Sequence, residues 1–417
     1  MSDQQRLAAL AADAGLHRAF GWLHLNELQL RRWQLEFLPI AAPPFGEGDR
    51  ARWFCDRFVE FGLMKAHIDA EGNAIALLPG HTGSLETGAI VLSAHLDTVF
   101  PAEINCTPRE DGDIIRGPGA CDNGAGLAAL LGLAAALQRS GLQPPCPVIF
   151  VANVGEEGEG DLRGMRHLFA SPPFDAEIAA VIALEGAGNA LVVDRALGSR
   201  RLRATVTGPG GHSWADADRP NPILALSSAL LAITRVHLPK QPRTTLNVGR
   251  LQGGTSVNSI PASATADLDL RSTSEMALDR LELTVLTRLS AEIEAETAGE
   301  NSGTVPLSLH IERTGHRAVG ALAADSFLMH SLRAVDRHLG IATELRIGST
   351  DANLPLSLGV PALAIGAGGI GGGLHTAGEW YDPTGRELAL RRVLLLLLDC
   401  CTHVAQAQQR TESPIAL

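Results

Sequence analysis

Apolar positions along this chain follow two different rhythms, and the changes between them divide it. The first 40 residues are helical in pattern and end at the two-proline loop AAPPFGEGDR. After that, short near-continuous apolar runs alternate with helix-period segments. ARWFCDRFVEFGL predicts a helix, AIALLPG and AIVLSAHLD predict strands, and GAGLAALLGLAAALQRSG predicts a helix closed by Gly141. PVIFVANVG and AAVIALEG predict two more strands. Strands that are apolar on both faces and separated by helices imply an α/β fold with a mostly parallel sheet flanked by helices.

Beyond Gly198 the apolar residues alternate instead. RLRATVTG, TTLNVGRLQGG, SATADLDLRS and VPLSLHIER predict half-exposed strands. Between them lie two helical stretches. ILALSSALLAITRV follows RPNP, and SEMALDRLELTVLTRLSAEIEAE places Leu278, Leu281, Val285, Leu289 and Ile293 on one face, with Ser272 and Glu275 as an expected capping box. The order β-α-β-β-α-β is that of a ferredoxin-like α+β unit. The first rhythm then resumes, with ADSFLMHSLRAVDRHLG as a helix, VPALAIG as a buried strand and RELALRRVLLLLLDCCTHV as the last helix. Residues 198–314 are thus predicted to be inserted into a domain made of 1–197 and 315–417.

Composition narrows the function. A chain of 417 residues favours two domains. A net charge of −12, with Lys65 and Lys240 as the only lysines, argues against nucleic acid or an anionic membrane surface as partner. The apolar segments LAALLGLAAAL and VLLLLL are shorter than the roughly 20 residues that span a bilayer. The start, MSDQQRLAALAADAG, lacks the basic region of a signal peptide. Cys55, Cys106, Cys121, Cys146, Cys400 and Cys401 form no C-x-x-C pair, so free thiols and a cytoplasmic location are expected.

The candidate chemistry sits where buried strands end, the usual place for sites in open α/β sheets. His95 and Asp97 in SAHLDTVF share one side of a strand, and a carboxylate beside an imidazole is the usual support of a metal ligand. Asp122 in GPGACDNGAG stands on a glycine-rich turn that opens a helix, where, taken alone, a plain helix cap is the better reading. GEEGEG supplies Glu156 and Glu157, whose side chains point apart; a solvated acidic loop is the alternative. VIALEGAG ends in Glu185, and GGGLHTAGEWYD offers His375 and Glu379. Each is weak alone. Together they suit Zn²⁺, with Mn²⁺ or Co²⁺ as alternatives. Two ions fit better than one, since a bridging Asp122 leaves His95 and Glu185 on one ion and Glu157 and His375 on the other. IGAGGIGGG lacks the Lys-Ser/Thr of a nucleotide loop and reads as a tight turn presenting His375.

The set HLD, GACDNGAG, GEEGEG, ALEG, GPGGHS, NSIP, DLDLRS, GSTDAN and GLHTAGEW, in that order from about residue 80 to 385, resembles the dinuclear zinc amidohydrolases and exopeptidases. That family includes glutamate carboxypeptidase, succinyl-diaminopimelate desuccinylase, acetylornithine deacetylase and peptidase T. The resemblance implies a zinc exopeptidase-like catalytic domain with two divalent metal ions, and a lid that dimerises. It implies His95, Asp122, Glu157, Glu185 and His375 as ligands, Asp97 as their support and Glu156 as general base. From the lid it implies His212 as oxyanion stabiliser in the partner subunit, with Arg271 and Asn258 binding a substrate carboxylate. Turn and surface-strand readings of His212, Asn258 and Arg271 stand beside these. Thr350 and Asp351 would line the cleft or cap a helix. Asn123 stands where many relatives have a second Asp, and similar hydrogen bonds are expected from it. Glu185 is typically Asp in the aminopeptidase branch, which leans toward a carboxypeptidase or deacylase. The expected reaction is hydrolysis of an amide in a small peptide or N-acyl amino acid, with a metal-bridged water activated by Glu156. A di- or tripeptide aminopeptidase of the peptidase T type, an allantoate-type hydrolase and a catalytically silent metal-binding relative are the alternatives.

Overall fold

The computed structural model describes residues 3–81, 85, 88–298 and 306–412; Met1, Ser2 and Val305, the head of the predicted VPLSLHIER strand, lie outside the described residues. The chain divides into two compact units, Met1–Ala196 with Gly320–Leu417, and Leu197–Val319. The second unit runs on past residue 314 because the strand Ser308–Arg317 stays paired with Gly198–Thr207 as far as Arg317.

In the first unit four parallel strands form the middle of the main sheet, in the order Val148–Asn153, Ala89–His95, Ile178–Leu184 and Ala362–Ile365. The sequences VIFVAN, AIVLSAH and ALAI are buried at every position, as expected of strands covered on both faces. Antiparallel strands extend the sheet, Ala74–Leu78 and Met64–Ile68 on one side and Leu191–Ala196 on the other. Leu191–Ala196 also pairs with Gly320–Ala321 and, in parallel, with Glu344–Gly348. Met64–Ile68 and Glu344–Gly348 are additions to the predicted elements. MKAHI and ELRIG are mostly exposed edge strands, so no apolar run marks them.

Three helices, Asp3–Ala11, Ala14–Leu25 and Glu27–Phe37, make up the helical start, and Gly48–Phe61 follows. The helix Gly124–Ser140 is apolar nearly all round because it packs on the sheet and is itself covered by Ala14–Leu25, Glu27–Phe37 and Gly48–Phe61. Gly132 admits the third helix, since a Cβ there would lie 2.8 Å from Leu30 Cδ2. The run Val393–Leu398 is buried in the helix Arg386–Glu412, each side chain worth about 1.5–3 kcal/mol of transfer free energy. Two buried bidentate pairs orient this helix, Arg392 to Asp336 at 2.7 and 3.0 Å and Arg6 to Asp399 at 2.7 and 2.9 Å.

The second unit is an antiparallel sheet in the order Thr244–Gly253, Ser263–Ser272, Gly198–Thr207 and Ser308–Arg317. Its two helices, Pro222–Thr234 and Glu275–Ala298, pack Leu226, Ile233, Leu278, Val285 and Leu289 on Leu202, Ala204, Leu268 and Leu270. This is the βαββαβ arrangement expected from the alternation. The capping box is not formed as expected. Ser274 Oγ accepts the Ala277 N–H at 3.4 Å, while Ser272 is fully buried 3.0 Å from Thr244 Oγ1. Glu275 turns to Arg200 and the Val319 N–H instead.

Candidate metal centre

Parallel strands present their C-terminal ends along one edge of a sheet, and this edge collects the acids and imidazoles. His95 ends one strand and lies in register with Asn153, the end of its neighbour, from which the chain continues to Glu156 and Glu157. On the other side Ser93 pairs with Ala183, so Glu185 emerges level with His95. Asp122 precedes the helix Gly124–Ser140, and the Asp122–Asn123 peptide is cis. His375 lies in the turn between the short strands Ile370–Gly372 and Trp380–Asp382, and the second of these pairs with Ile114–Arg116, which leads toward Asp122. IGAGGIGGG therefore forms a strand-and-turn. Gly369 has φ 69° with Asp382 O only 2.4 Å from where a Cβ would stand. His375 itself has φ 61°, a conformation costing about 1–2 kcal/mol for a residue with a side chain.

The five predicted ligands meet. Asp122 Oδ1 is 3.2 Å from His95 Nε2, which lies 3.4 Å from Glu185 Oε1. Asp122 Oδ2 is 3.1 Å from His375 Nε2, which lies 3.0 Å from Glu157 Oε1. The two oxygens of one carboxylate thus face two separate imidazole–carboxylate pairs. Ligand atoms of His95, Asp122 and Glu185 lie within 4.8 Å of one another, as do those of Asp122, Glu157 and His375, and those of His95, Glu156 and Glu157. Asp122 Oδ1 is misaligned for a hydrogen bond despite its 3.2 Å contact, and Glu185 Oε2 is buried without a partner. Lone pairs left without donors in a buried acidic cluster fit cations.

Electrostatics agrees. Burial raises the Glu185 carboxyl to about 7 against the pull of His95. Burial also opposes charge on Asp122, but the His375 and His95 rings outweigh it and hold this carboxyl well below the usual range. Hydrogen bonds to Asp122 and Glu157 lift His375 to about 10, and His95, although buried, is raised by Glu185 and Asp122. The raised imidazoles mark a cluster that favours positive charge, which metal ions would also supply.

Asp97 supports the centre in a way the strand pattern did not suggest. His95 Nδ1 lies 2.9 Å from the main-chain carbonyl of Asp97 and 3.6 Å from its carboxylate. The carboxylate accepts instead the N–H groups of Glu156 at 3.0 Å and Glu157 at 2.6 Å, so it shapes the loop that carries both glutamates. Arg50 was missed by the sequence reasoning. Buried and lowered to about 10 by that burial, it donates to the carbonyls of Leu96 at 2.7 Å, Ile40 at 3.0 Å and Leu38 at 3.3 Å, bracing the turn after His95. Its signal was a charge on the apolar stripe Arg50, Ala51, Phe54, Phe58, Phe61.

Comparison with known proteins places this geometry. The model of peptidase family M20/M25/M40 matches residues 91–399. The chain belongs to that family. The M20 chain is 32% identical over 256 residues to a probable carboxypeptidase of Aspergillus clavatus, covering 54% of each, so it spans about half the length of that curated relative. It shares its fold with a tripeptidase of Staphylococcus aureus (TM-score 0.70, 20% identity, 91% of this chain and 99% of that one). It also shares it with the Bacillus subtilis YXEP protein, described as a dinuclear metal binding peptidase (TM-score 0.63, 14% identity, 90% and 98%). The family recognised from the ordered motifs is thereby established.

The remaining predicted residues of this M20 chain fall into two groups. In the first unit Asp351 is buried and accepts from Asn153 Nδ2 at 2.8 Å, at the end of the strand next to His95, and it adds to the charge that raises Glu185. Thr350 is buried beside it, and its N–H donates to Asn353 Oδ1 at 2.9 Å, a local turn role. In the second unit His212 and Asn258 come together, since Gly211–His212 pairs with Ser259–Ile260 and Ser213 N–H donates to Asn258 O at 3.0 Å. His212 Nδ1 accepts the N–H groups of Trp214 at 3.2 Å and Ala215 at 3.4 Å. These bonds engage Nδ1 and leave Nε2 as the ring nitrogen outside them. Arg271 shares its strand face with Asp267 and Asp269, and its Nε donates to Asp269 at 2.7 Å. Among the described residues no helix is long and apolar enough to cross a membrane, and all six cysteines are free thiols.

Proposed function

We propose that this M20 chain hydrolyses an amide bond in a small peptide or N-acyl amino acid with two divalent metal ions. One observation carries the reading: the two oxygens of Asp122 face His95 with Glu185 on one side and His375 with Glu157 on the other. His95, Asp122 and Glu185 would hold one ion, and Asp122, Glu157 and His375 the second, with zinc suited to these donors and manganese or cobalt as alternatives. Such ions acidify water and polarise an amide carbonyl. Glu156, whose carboxylate lies with the His95 imidazole and the Glu157 carboxylate and whose N–H is fixed by Asp97, takes the proton of the attacking water and returns it to the leaving nitrogen. His212 donates through Nε2 to the oxyanion, supplied by the partner subunit of a homodimer formed through the second unit. Arg271 and Asn258 hold a terminal carboxylate, and Thr350 and Asp351 line the site.

Glu185, together with the resemblance to a probable carboxypeptidase, supports cleavage next to a free carboxylate. A cytoplasmic location accords with the free thiols. The test is metal analysis of purified protein followed by parallel assays on N-acyl amino acids, dipeptides and tripeptides. Two equivalents of metal and turnover of substrates with a blocked amine and a free carboxylate are expected. Background metal would sink the reading, and a strict need for a free amino terminus would move it to the peptidase T type.

A further inference from the structure

Two side chains that are not ligands in the proposed centre hold Asp122 from different sides. Glu379 is fully buried. Its Oε1 accepts the N–H groups of Cys121 and Asp122, each at 2.8 Å, its Oε2 accepts the Gly119 N–H at 3.1 Å, and its carbonyl accepts the Gly117 N–H at 2.9 Å. It belongs to the same turn as His375, and its own N–H donates to Thr376 O at 3.1 Å. Asn123 is buried on the other side. Its Nδ2 donates to Leu184 O at 2.9 Å and its Oδ1 accepts the Gly186 N–H at 3.0 Å, which are the two neighbours of Glu185 in the chain.

Neither contact set is explained by local structure alone. A helix cap requires only the bond from Gly126 N–H to Asn123 Oδ1, 3.1 Å long; the bonds to Leu184 and Gly186 lie outside the helix. The packing around them is closed, because a Cβ on Gly126 would stand 2.1 Å from Asn123 Oδ1 and 2.7 Å from Leu184 O. A loop anchor facing three N–H groups needs both oxygens of a carboxylate, although an acid beside Asp122 is electrostatically unfavourable. A glutamine would turn an NH₂ toward one of those donors.

Resting on the two-ion reading, we infer that Glu379 and Asn123 are positioning residues with separate duties: Glu379 sets the spacing of Asp122 from His375, and Asn123 sets the spacing of Asp122 from Glu185. Each governs one ion. Changes to such supporting partners typically weaken metal binding about 10–100-fold.

The experiment is cobalt titration of metal-stripped full-length protein, followed by calorimetry and by the cobalt absorption spectrum. Wild-type protein should take up two equivalents; fewer would overturn the two-ion reading itself, and this inference with it. His95→Ala leaves the Asp122–Glu157–His375 set, and His375→Ala leaves the His95–Asp122–Glu185 set. On the His95→Ala background Glu379→Gln should weaken the remaining ion about 10–100-fold while Asn123→Asp leaves it unchanged. On the His375→Ala background the pattern should reverse. Should Glu379→Gln fail to fold, Glu379→Asp takes its place. With wild type at two equivalents, equal weakening on both backgrounds, no weakening, or the opposite selectivity would overturn the inference.

Discussion

Replacing Asp97 separates the support of the metal centre from its ligands. The side chain is fully buried, and its carboxylate accepts two N–H groups, those of Glu156 at 3.0 Å and Glu157 at 2.6 Å. A hydrogen bond to a charged group contributes about 1.5–3 kcal/mol, so Asp97→Ala exposes the protein to a loss of about 3–6 kcal/mol. Glycines on either side let the loop relax, and a value near the lower bound, about 3 kcal/mol, is expected. His95 keeps its 2.9 Å contact with the Asp97 carbonyl, so its ring should stay in place. Metal affinity should then fall only through displacement of Glu157, by about 10–100-fold. Turnover should fall further, because Glu156 is released by the same change. Asp97→Asn retains one acceptor and should lie between the two. The sign with pH follows from the folded carboxyl, which burial raises but the His95 ring and both amides bring below 3.8 overall. Its stabilisation is present above 3.8 and is lost as the pH falls through the lowered folded value, so wild type and Asp97→Ala should converge in acid. Urea unfolding of metal-free protein at several pH values, with cobalt titration alongside, measures all of this. An unchanged midpoint and unchanged metal affinity in Asp97→Ala would mean that this carboxylate does not hold the glutamate loop.

Glu156→Gln should keep both metal equivalents and lose about 10²–10⁴-fold in kcat; metal analysis and turnover of the same sample check it, and near-normal turnover would remove Glu156 as the base. His212→Ala should lower kcat by about 10²–10³-fold, and mixing it with Glu156→Gln should restore activity if the imidazole comes from the partner subunit. In metal-free protein His375 is raised from 6.5 to about 10 by Asp122 and Glu157, so its contribution to stability is complete below 6.5 and lost as the pH rises through about 10. Metal uptake below that value should release protons, measurable by calorimetry in buffers of different ionisation enthalpy. Arg50→Leu strips donors from two buried carbonyls and one part-buried one and should cost about 2–5 kcal/mol in thermal or urea unfolding, with His95 the candidate ligand most disturbed.

Hydrophobic rhythm located the buried strands because a strand covered on both faces writes itself as a continuous apolar run. The candidate ligands were readable for a related reason: His95, Glu157 and Glu185 break such runs at their ends, where a charge is out of place in a core. Edge strands such as Met64–Ile68 are too polar to leave that mark, and Ser272 looked like a cap only because its burial against Thr244 depends on a distant strand. Arg50 and Glu379 carry one charge each, and nothing in the neighbouring residues says that main-chain groups from elsewhere will surround it.

Local patterning, in short range along the chain, determined the class of fold and the insertion of a βαββαβ unit, and pointed to the candidate acids and imidazoles at the strand ends. Tertiary structure alone set the strand order that puts 148–153 and 178–184 on either side of 89–95, and the register that brings Glu185 level with His95. It also turned Asp122 so that each oxygen meets a different imidazole, and gave the Asp97 carboxylate to the glutamate loop. Periodicity records how a residue relates to water, over a few neighbours; which partners share a buried point is decided by long-range packing and by main-chain hydrogen bonds that carry no side-chain signature.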